Sequence, residues 1–253
     1  MKILLLAITL LAGSAAISQN NPVQSKVYSW DTTRSKQHGV QTEKIFSGSG
    51  AILASQTMHG LTMAKGTKTV TERHNNAEHF YIVKDGPVKV EMKDSSKILG
   101  RGSVICIMPG DVVTLTAMAD GVQLYEMAYS STVPADKERG KKAGGSFMLD
   151  WNTIAFKAHD KGGVRQFFDR PTEMLNRFDI HVTTLNPNNK SHDPHTHKNE
   201  EIILMLQGNA EMQIGTDHQK ANAADVVWLG SMVLHNLTNI GTVPCIYYAI
   251  QWN

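Results

Sequence analysis

Within eight residues, Pro194-His195-Thr196-His197-Lys198-Asn199-Glu200-Glu201 sets two imidazoles two positions apart and a carboxylate four positions beyond the second. On an extended strand, residues i and i+2 point the same way, so both rings can face one interior. Glu201 opens the apolar run that ends at Gly208, and its parity puts it on the face of Ile203 and Met205. A third imidazole, His235, follows 34 residues after Glu201, in Val233-Leu234-His235-Asn236-Leu237-Thr238-Asn239. Polar groups at the mouths of apolar strands cost several kcal/mol if buried alone, and a metal ion removes that cost. Three imidazoles and one carboxylate suit a single borderline divalent ion such as Mn, Fe, Zn, Ni or Co. His195, His197, Glu201 and His235 are therefore the candidate ligands, and a five- or six-coordinate ion keeps room for water or a substrate.

Other side chains carry weaker signals. His181, on the run Phe178 to Thr184, is a candidate acid/base if it faces inward, and a hydrogen-bonded wall histidine otherwise. Arg165, after Gly162-Gly163, is a candidate for binding a substrate carboxylate through its bidentate fork, with an inter-domain salt bridge as the competing role. His192, three residues before His195, reads as a surface residue, with a place behind the ligands as the alternative. Trp228 and Tyr247 read as core rather than as stacking platforms. Cys106 and Cys245 each lie in an apolar run with no basic neighbour, which fits two separately buried thiols.

The elements that must hold these residues are short Val-, Ile- and Tyr-rich runs separated by Gly, Pro, Asn and Asp. Phe80 to Val83, Val88 to Met92, Val104 to Met108 and Gln123 to Tyr129 are examples. The pattern predicts an all-β chain of sandwich or barrel type, with one short helix over Thr172 to Arg177, after Pro171. A repeat runs through it: Phe80 to Gly86 matches Ile202 to Gly208 at an offset of 122, and Leu124 to Tyr129 is set against Ile246 to Gln251 at the same offset. Two copies of one unit are expected, over 19–131 and 146–253, joined by a polar, Gly-rich linker over 132–145 in which Lys137 to Lys142 reads as solvated. Lys2, the apolar stretch Ile3 to Leu11 and Ala16-Ile17-Ser18 read as a cleavable signal peptide over 1–18, which predicts a secreted or periplasmic protein with no membrane anchor after cleavage. A net charge of +2 and a pI near 8.4 argue against nucleic acid as a partner.

His195, His197, Glu201 and Gly208 fill the pattern His-x-His-x3-Glu-x6-Gly, and His235 and Asn239 fill a later His-x3-Asn. Together these resemble the two motifs of the cupin superfamily, which implies two tandem double-stranded β-helix (jelly-roll-like) barrels with the metal in the C-terminal one. Leu229-Gly230-Ser231 lacks the Pro common in the second motif. In the N-terminal copy, Arg73, Asn75 and His79 stand where the ligands would be, with Thr114 in the place of His235; a shift of one residue brings in Glu72, His74 and Glu78 instead, and the set is broken in either register. The resemblance implies a metal-dependent enzyme acting as a Lewis acid on a small oxygen-rich molecule, such as a sugar acid or another carboxylate or carbonyl compound. Other activities of the superfamily stay open: quercetinase-like oxygen-dependent cleavage, hydrolysis as in the partly similar ureidoglycine aminohydrolases, and non-catalytic metal or carbohydrate binding. Homo-oligomers are frequent among bicupins.

Overall fold

In the computed structural model, residues 21–30, 38–71, 76–93 and 95–253 are described. The signal-peptide segment, Glu72 to Asn75 and Asp94 lie outside them. Among the described residues no helix is long and apolar enough to cross a membrane.

The alternating runs form strands, as their β-branched and aromatic content favours. A six-stranded sheet in the order Phe147–Leu149, Val104–Ile107, Glu78–Asp85, Val122–Ser131, Leu53–Met63, Val40–Gly48 faces a four-stranded one, Lys68–Val70, Val113–Ala117, Val88–Met92, Ser95–Leu99. The second unit repeats the plan. Its seven-stranded sheet runs Lys26–Tyr28, Val226–Leu229, Glu200–Gln207, Cys245–Trp252, Phe178–Leu185, Gly162–Arg170, Lys157–His159, and faces the three strands Asp217–Asn222, Asn209–Ile214, His235–Asn239. Both units thus have the expected all-β, jelly-roll-like build. Each also lends a strand to the other: Lys26–Tyr28 pairs with Val226 to Trp228, and Phe147–Leu149 with Val104 to Cys106.

Strand parity sorts the side chains into three cores. Tyr81, Val83 and Ile105 point between the N-terminal sheets, and Ile203, Met205 and Val227 between the C-terminal ones. Phe80, Ile82, Phe178, Leu204, Tyr248 and Trp252 fill the seam between the two large sheets. The same alternation separates two neighbouring acids. Glu201 turns into its own unit, whereas Glu200 turns into the seam, where its carboxylate accepts from Ala51 N at 2.6 Å and Trp252 Nε1 at 3.1 Å. Glu78 does the same from the other side, accepting from Thr172 Oγ1 at 2.8 Å and Met174 N at 2.9 Å. Tyr125 OH donates across the seam to Ala224 O, and Tyr248 OH to Gly102 O.

Pairing registers refine the repeat. Ile82 opposes Tyr125 and Leu204 opposes Tyr248, so partners that stand 122 apart on one strand stand 123 apart on the last. The extra residue lies in the loop before Cys245, which corrects the offset of 122 read for the final strands. Met92 opposes Val113 and Ile214 opposes His235, so Val113 rather than Thr114 occupies the position of His235.

The helix expected over Thr172 to Arg177 is a loop, because Thr172 Oγ1 and Met174 N are spent on Glu78. The helix is instead Lys137–Lys142, capped by Asp136. It is no solvated spacer: Arg139 donates to Thr172 O, Glu173 O and Asn176 Oδ1 and clamps that loop.

Burial is the largest influence on the Glu78 carboxyl and raises its pKa above 4.5, against the nearby Tyr129 hydroxyl and the hydrogen bonds from Met174 and Thr172, which lower it. A carboxyl with a raised folded pKa favours the fold most below the ordinary value and loses that contribution as pH rises through the raised one. Glu78→Gln, which mimics the protonated form, should therefore flatten the decline of stability with pH above 4.5. Urea melts of both proteins from pH 4 to 8 check this; parallel curves would refute it.

Candidate metal centre

His195 precedes the strand that bears Glu201 and is pinned by the backbone. His195 N donates to His235 O at 3.1 Å, and His235 N returns a bond to His195 O at 3.0 Å. This bridge brings the two rings to 4.7 Å between centroids. His197 is held through its carbonyl, which accepts from Met232 N at 2.8 Å. Met232 has a left-handed φ of 62° inside the turn Gly230 to Val233, so the turn that lacks the usual Pro is anchored to a candidate ligand. Gly208 ends the Glu201 strand at φ 79°, where a Cβ would come within 2.9 Å of Cys245. Asn239 is structural: it donates to Leu185 O and Val243 O and accepts from Gly241 N.

Nitrogen atoms of His195, His197 and His235 all lie within 4.8 Å of one another. His235 Nδ1 sits 2.8 Å from Val233 O and His197 Nδ1 2.9 Å from Asn199 O. A carbonyl only accepts, so both Nδ1 atoms carry the proton and both Nε2 atoms are turned to the centre. There, Glu201 Oε2 lies 3.1 Å from His235 Nε2 and 3.3 Å from His197 Nε2. His235 Nε2 is buried and forms no hydrogen bond despite that approach. An orphaned imidazole nitrogen beside a carboxylate, with two more rings in reach, is the donor set a divalent ion takes. The residues present fit the ion.

The electrostatics agree. Burial pushes the Glu201 carboxyl up, but the neighbouring His197 and His235 imidazoles, together with the Gln251 amide, outweigh it and hold the group down at about 2. His197 is raised, first by its bond to Glu201 and against burial. His195 is lowered, first by burial and then by His192, His235 and His197. A deprotonated Glu201 and a neutral His195 are the forms that bind metal, whereas His197 must give up the proton that Glu201 favours on it when an ion enters.

These groups open on a cavity of about 300 Å³. Besides His195, Glu201 and His235, its walls carry His181, Thr183, Ser191, His192, Asn236 and Gln251, and apolar Val164, Ile203 and Leu237. His181 faces inward, with its Nδ1 3.9 Å from Asp179 Oδ2. Arg165 does not: Val164 takes the cavity face of that strand, and Arg165 stacks instead on Trp151 at 4.7 Å and Phe156 at 4.9 Å. Among the described residues it neither lines this cavity nor pairs with a carboxylate. His192 is exposed, yet its ring stands edge-on to His195 at 4.0 Å and lines the cavity, more than a surface residue does. Tyr247 is both buried and a wall residue, whereas Trp228 is in the seam and donates to Gln56 Oε1. His159 and Gln251 went unnoticed in the sequence, although Gln251 shares the parity of Tyr247 on the last strand. Both cysteines are free and buried, and burial raises both thiols.

The N-terminal unit spends the equivalent space differently. Glu126 lies among His79 at 3.0 Å, Tyr81 OH at 2.7 Å and His59 at 3.6 Å, with Thr71 Oγ1 2.9 Å from Tyr81 OH. Burial pushes Glu126 up, but these neighbours prevail and hold it well below the carboxylate range. His79 stands in the position of Glu201, and its carboxylate partner comes from a different strand.

Residues 181–251 match the family model described as the cupin domain. That match spans the strands that carry Glu201 and His235. Solved structures extend the likeness over both units. A Lactobacillus farciminis oxalate decarboxylase in a formate complex is 14% identical, with a TM-score of 0.68 over 91% of this chain and 87% of that one. Protein Ylba of E. coli is 13% identical, with a TM-score of 0.66 over 85% and 83%. A Bacillus subtilis oxalate decarboxylase described for its Mn(II) centres is 14% identical, with a TM-score of 0.64 over 92% and 78%. These likenesses show a shared bicupin fold. No curated protein matches the sequence.

Proposed function

We propose that this cupin is an exported, metal-dependent enzyme that acts on a small oxygen-rich molecule, a sugar acid or another carboxylate or carbonyl compound, in its C-terminal cavity. One observation carries the reading: three imidazole nitrogens and Glu201 converge at a cavity whose other walls are rich in hydrogen-bonding groups. The Bacillus subtilis neighbour, which shares the fold, is described for its Mn(II) centres, and that supports a metal in this protein. When bound, a divalent ion supplies Lewis acidity toward a carbonyl or carboxylate oxygen.

The chain's own residues divide the remaining work. His195, His197, Glu201 and His235 hold the ion. Thr183, Ser191 and Asn236 offer hydrogen bonds that orient an oxygen-bearing substrate, while Val164, Ile203 and Leu237 limit its hydration. His181 projects into the same space without binding to the ligand cluster, and moves a proton to or from the substrate, with Asp179 buried beside it.

Turnover of a panel of sugar acids, keto acids and hydroxy acids by the Mn(II)-loaded protein tests the reading. His181→Gln should lower kcat by about 10²–10⁴-fold at unchanged metal content. Undiminished turnover in that variant would make His181 a wall residue, and no turnover across the panel would sink the substrate class.

A further inference from the structure

Behind the candidate ligands lies a pair of amides. Gln251 faces Glu201 directly across neighbouring strands and Asp179 on its other side. Its Nε2 donates to Glu201 Oε1 at 3.2 Å. Its Oε1 accepts from Asn199 Nδ2 at 3.4 Å, and Asn199 Oδ1 accepts from Asn253 Nδ2 at 3.1 Å. The chain of donors fixes the amide orientation, since turning Gln251 over would face two donors and two acceptors against each other. Asn199 is also the residue whose carbonyl takes the His197 Nδ1 proton, at 2.9 Å.

We propose, on the basis of the metal-site reading above, that Gln251 is a positioning residue which, with Asn199, sets two metal ligands at once. By holding Oε1, Gln251 leaves Oε2 as the oxygen of Glu201 that points at the imidazoles; Oε2, and not Oε1, makes the 3.1 Å and 3.3 Å approaches to His235 and His197. By carrying the Asn199 side chain, it steadies the carbonyl that selects the His197 tautomer. One amide thereby couples the orientation of a carboxylate on one strand to that of an imidazole on the preceding loop. Gln251 itself lines the cavity, so its loss opens no seam in a core.

The test is titration of the metal-free full chain with Co(II), followed by visible absorption and by competition with a chelator. Gln251→Ala should bind Co(II) ~10–100-fold more weakly and with a changed ligand-field spectrum, as loss of an outer-shell partner does. Gln251→Met, similar in length but without a donor, should be as weak, and Asn199→Ala should weaken binding without adding fully to Gln251→Ala. Restoration of wild-type affinity and spectrum by Gln251→Met would overturn the inference alone, because space filling would then suffice. Unchanged Co(II) binding by a folded Gln251→Ala would do the same. Failure of the unaltered chain to bind Co(II) would overturn both the inference and the metal-site reading.

Discussion

Elemental analysis of the purified chain should find a transition metal at one ion per molecule, and none in the His195→Ala/His235→Ala double variant. The expected loss is large because each substitution removes a donor that the others cannot replace. His235 is buried at 3% exposure and offers an Nε2 with no hydrogen-bond partner, so the free site holds an imidazole poorly satisfied by the protein alone. Glu201, held deprotonated, keeps one oxygen 3.1 Å from it. Without His195 and His235, only His197 and Glu201 remain, fewer than the three protein ligands of ordinary catalytic sites. The variant should still fold. The bridge between positions 195 and 235 is made by backbone atoms, and the adjoining core of Ile203, Met205, Val227 and Leu237 is apolar and complete without the rings. Circular dichroism of the variant separates the outcomes: lost metal with a native spectrum supports a substrate-facing site, while global unfolding would make the ion structural. Metal-free wild-type protein, isolated from the compartment in which it resides, would sink the enzyme reading.

The candidate ligand set was legible because its geometry is nearly one-dimensional. His195, His197 and Glu201 lie close in sequence, and strand alternation converts their spacing into a shared face. His235 came from a second motif, and the barrel repeat from the match of Phe80 to Gly86 with Ile202 to Gly208. Features that depend on pairing between distant strands were not legible. Nothing near His59 or His79 announces Glu126, and nothing near Gly162 tells Arg165 to lie against Trp151 rather than in the cavity. The exchanged strands are three residues each, too short to carry a signal for which sheet they join. The lone inserted residue before Cys245 shifts the last strand by one, which an ungapped comparison of two halves cannot see. His192 is exposed, as read, and its contact with His195 shows that exposure and contact with a candidate ligand are compatible at the rim of a cavity.

Glu200→Ala should lower the stability of the whole chain by about 2–4 kcal/mol, in a single transition. Glu200 is 1% exposed and sits one residue from a candidate ligand, yet its work is in the seam between the units. Removing its carboxylate strips acceptors from Ala51 N and from the Trp252 indole, which is itself fully buried. Leaving a buried donor unpaired costs ~1–3 kcal/mol, and the alanine adds a void against Trp252. Gly50 shows how closely the chain is fitted here: a Cβ on it would come within 2.2 Å of Glu200 Oε1, so Gly50→Ala should destabilise for the opposite reason, by crowding. The transition stays single because the units are not separable. Each lends a strand to the other, Glu78 and Glu200 reach across in opposite directions, and the seam core draws on both large sheets. Urea melts followed by tryptophan fluorescence and by circular dichroism should therefore coincide in both wild type and variant, with the variant midpoint lower. Two resolved transitions would show that the units fold independently and that the exchanged strands contribute little. An unmoved midpoint would mean that water satisfies Trp252 and Ala51 as well as the carboxylate does, which a closed seam should not permit.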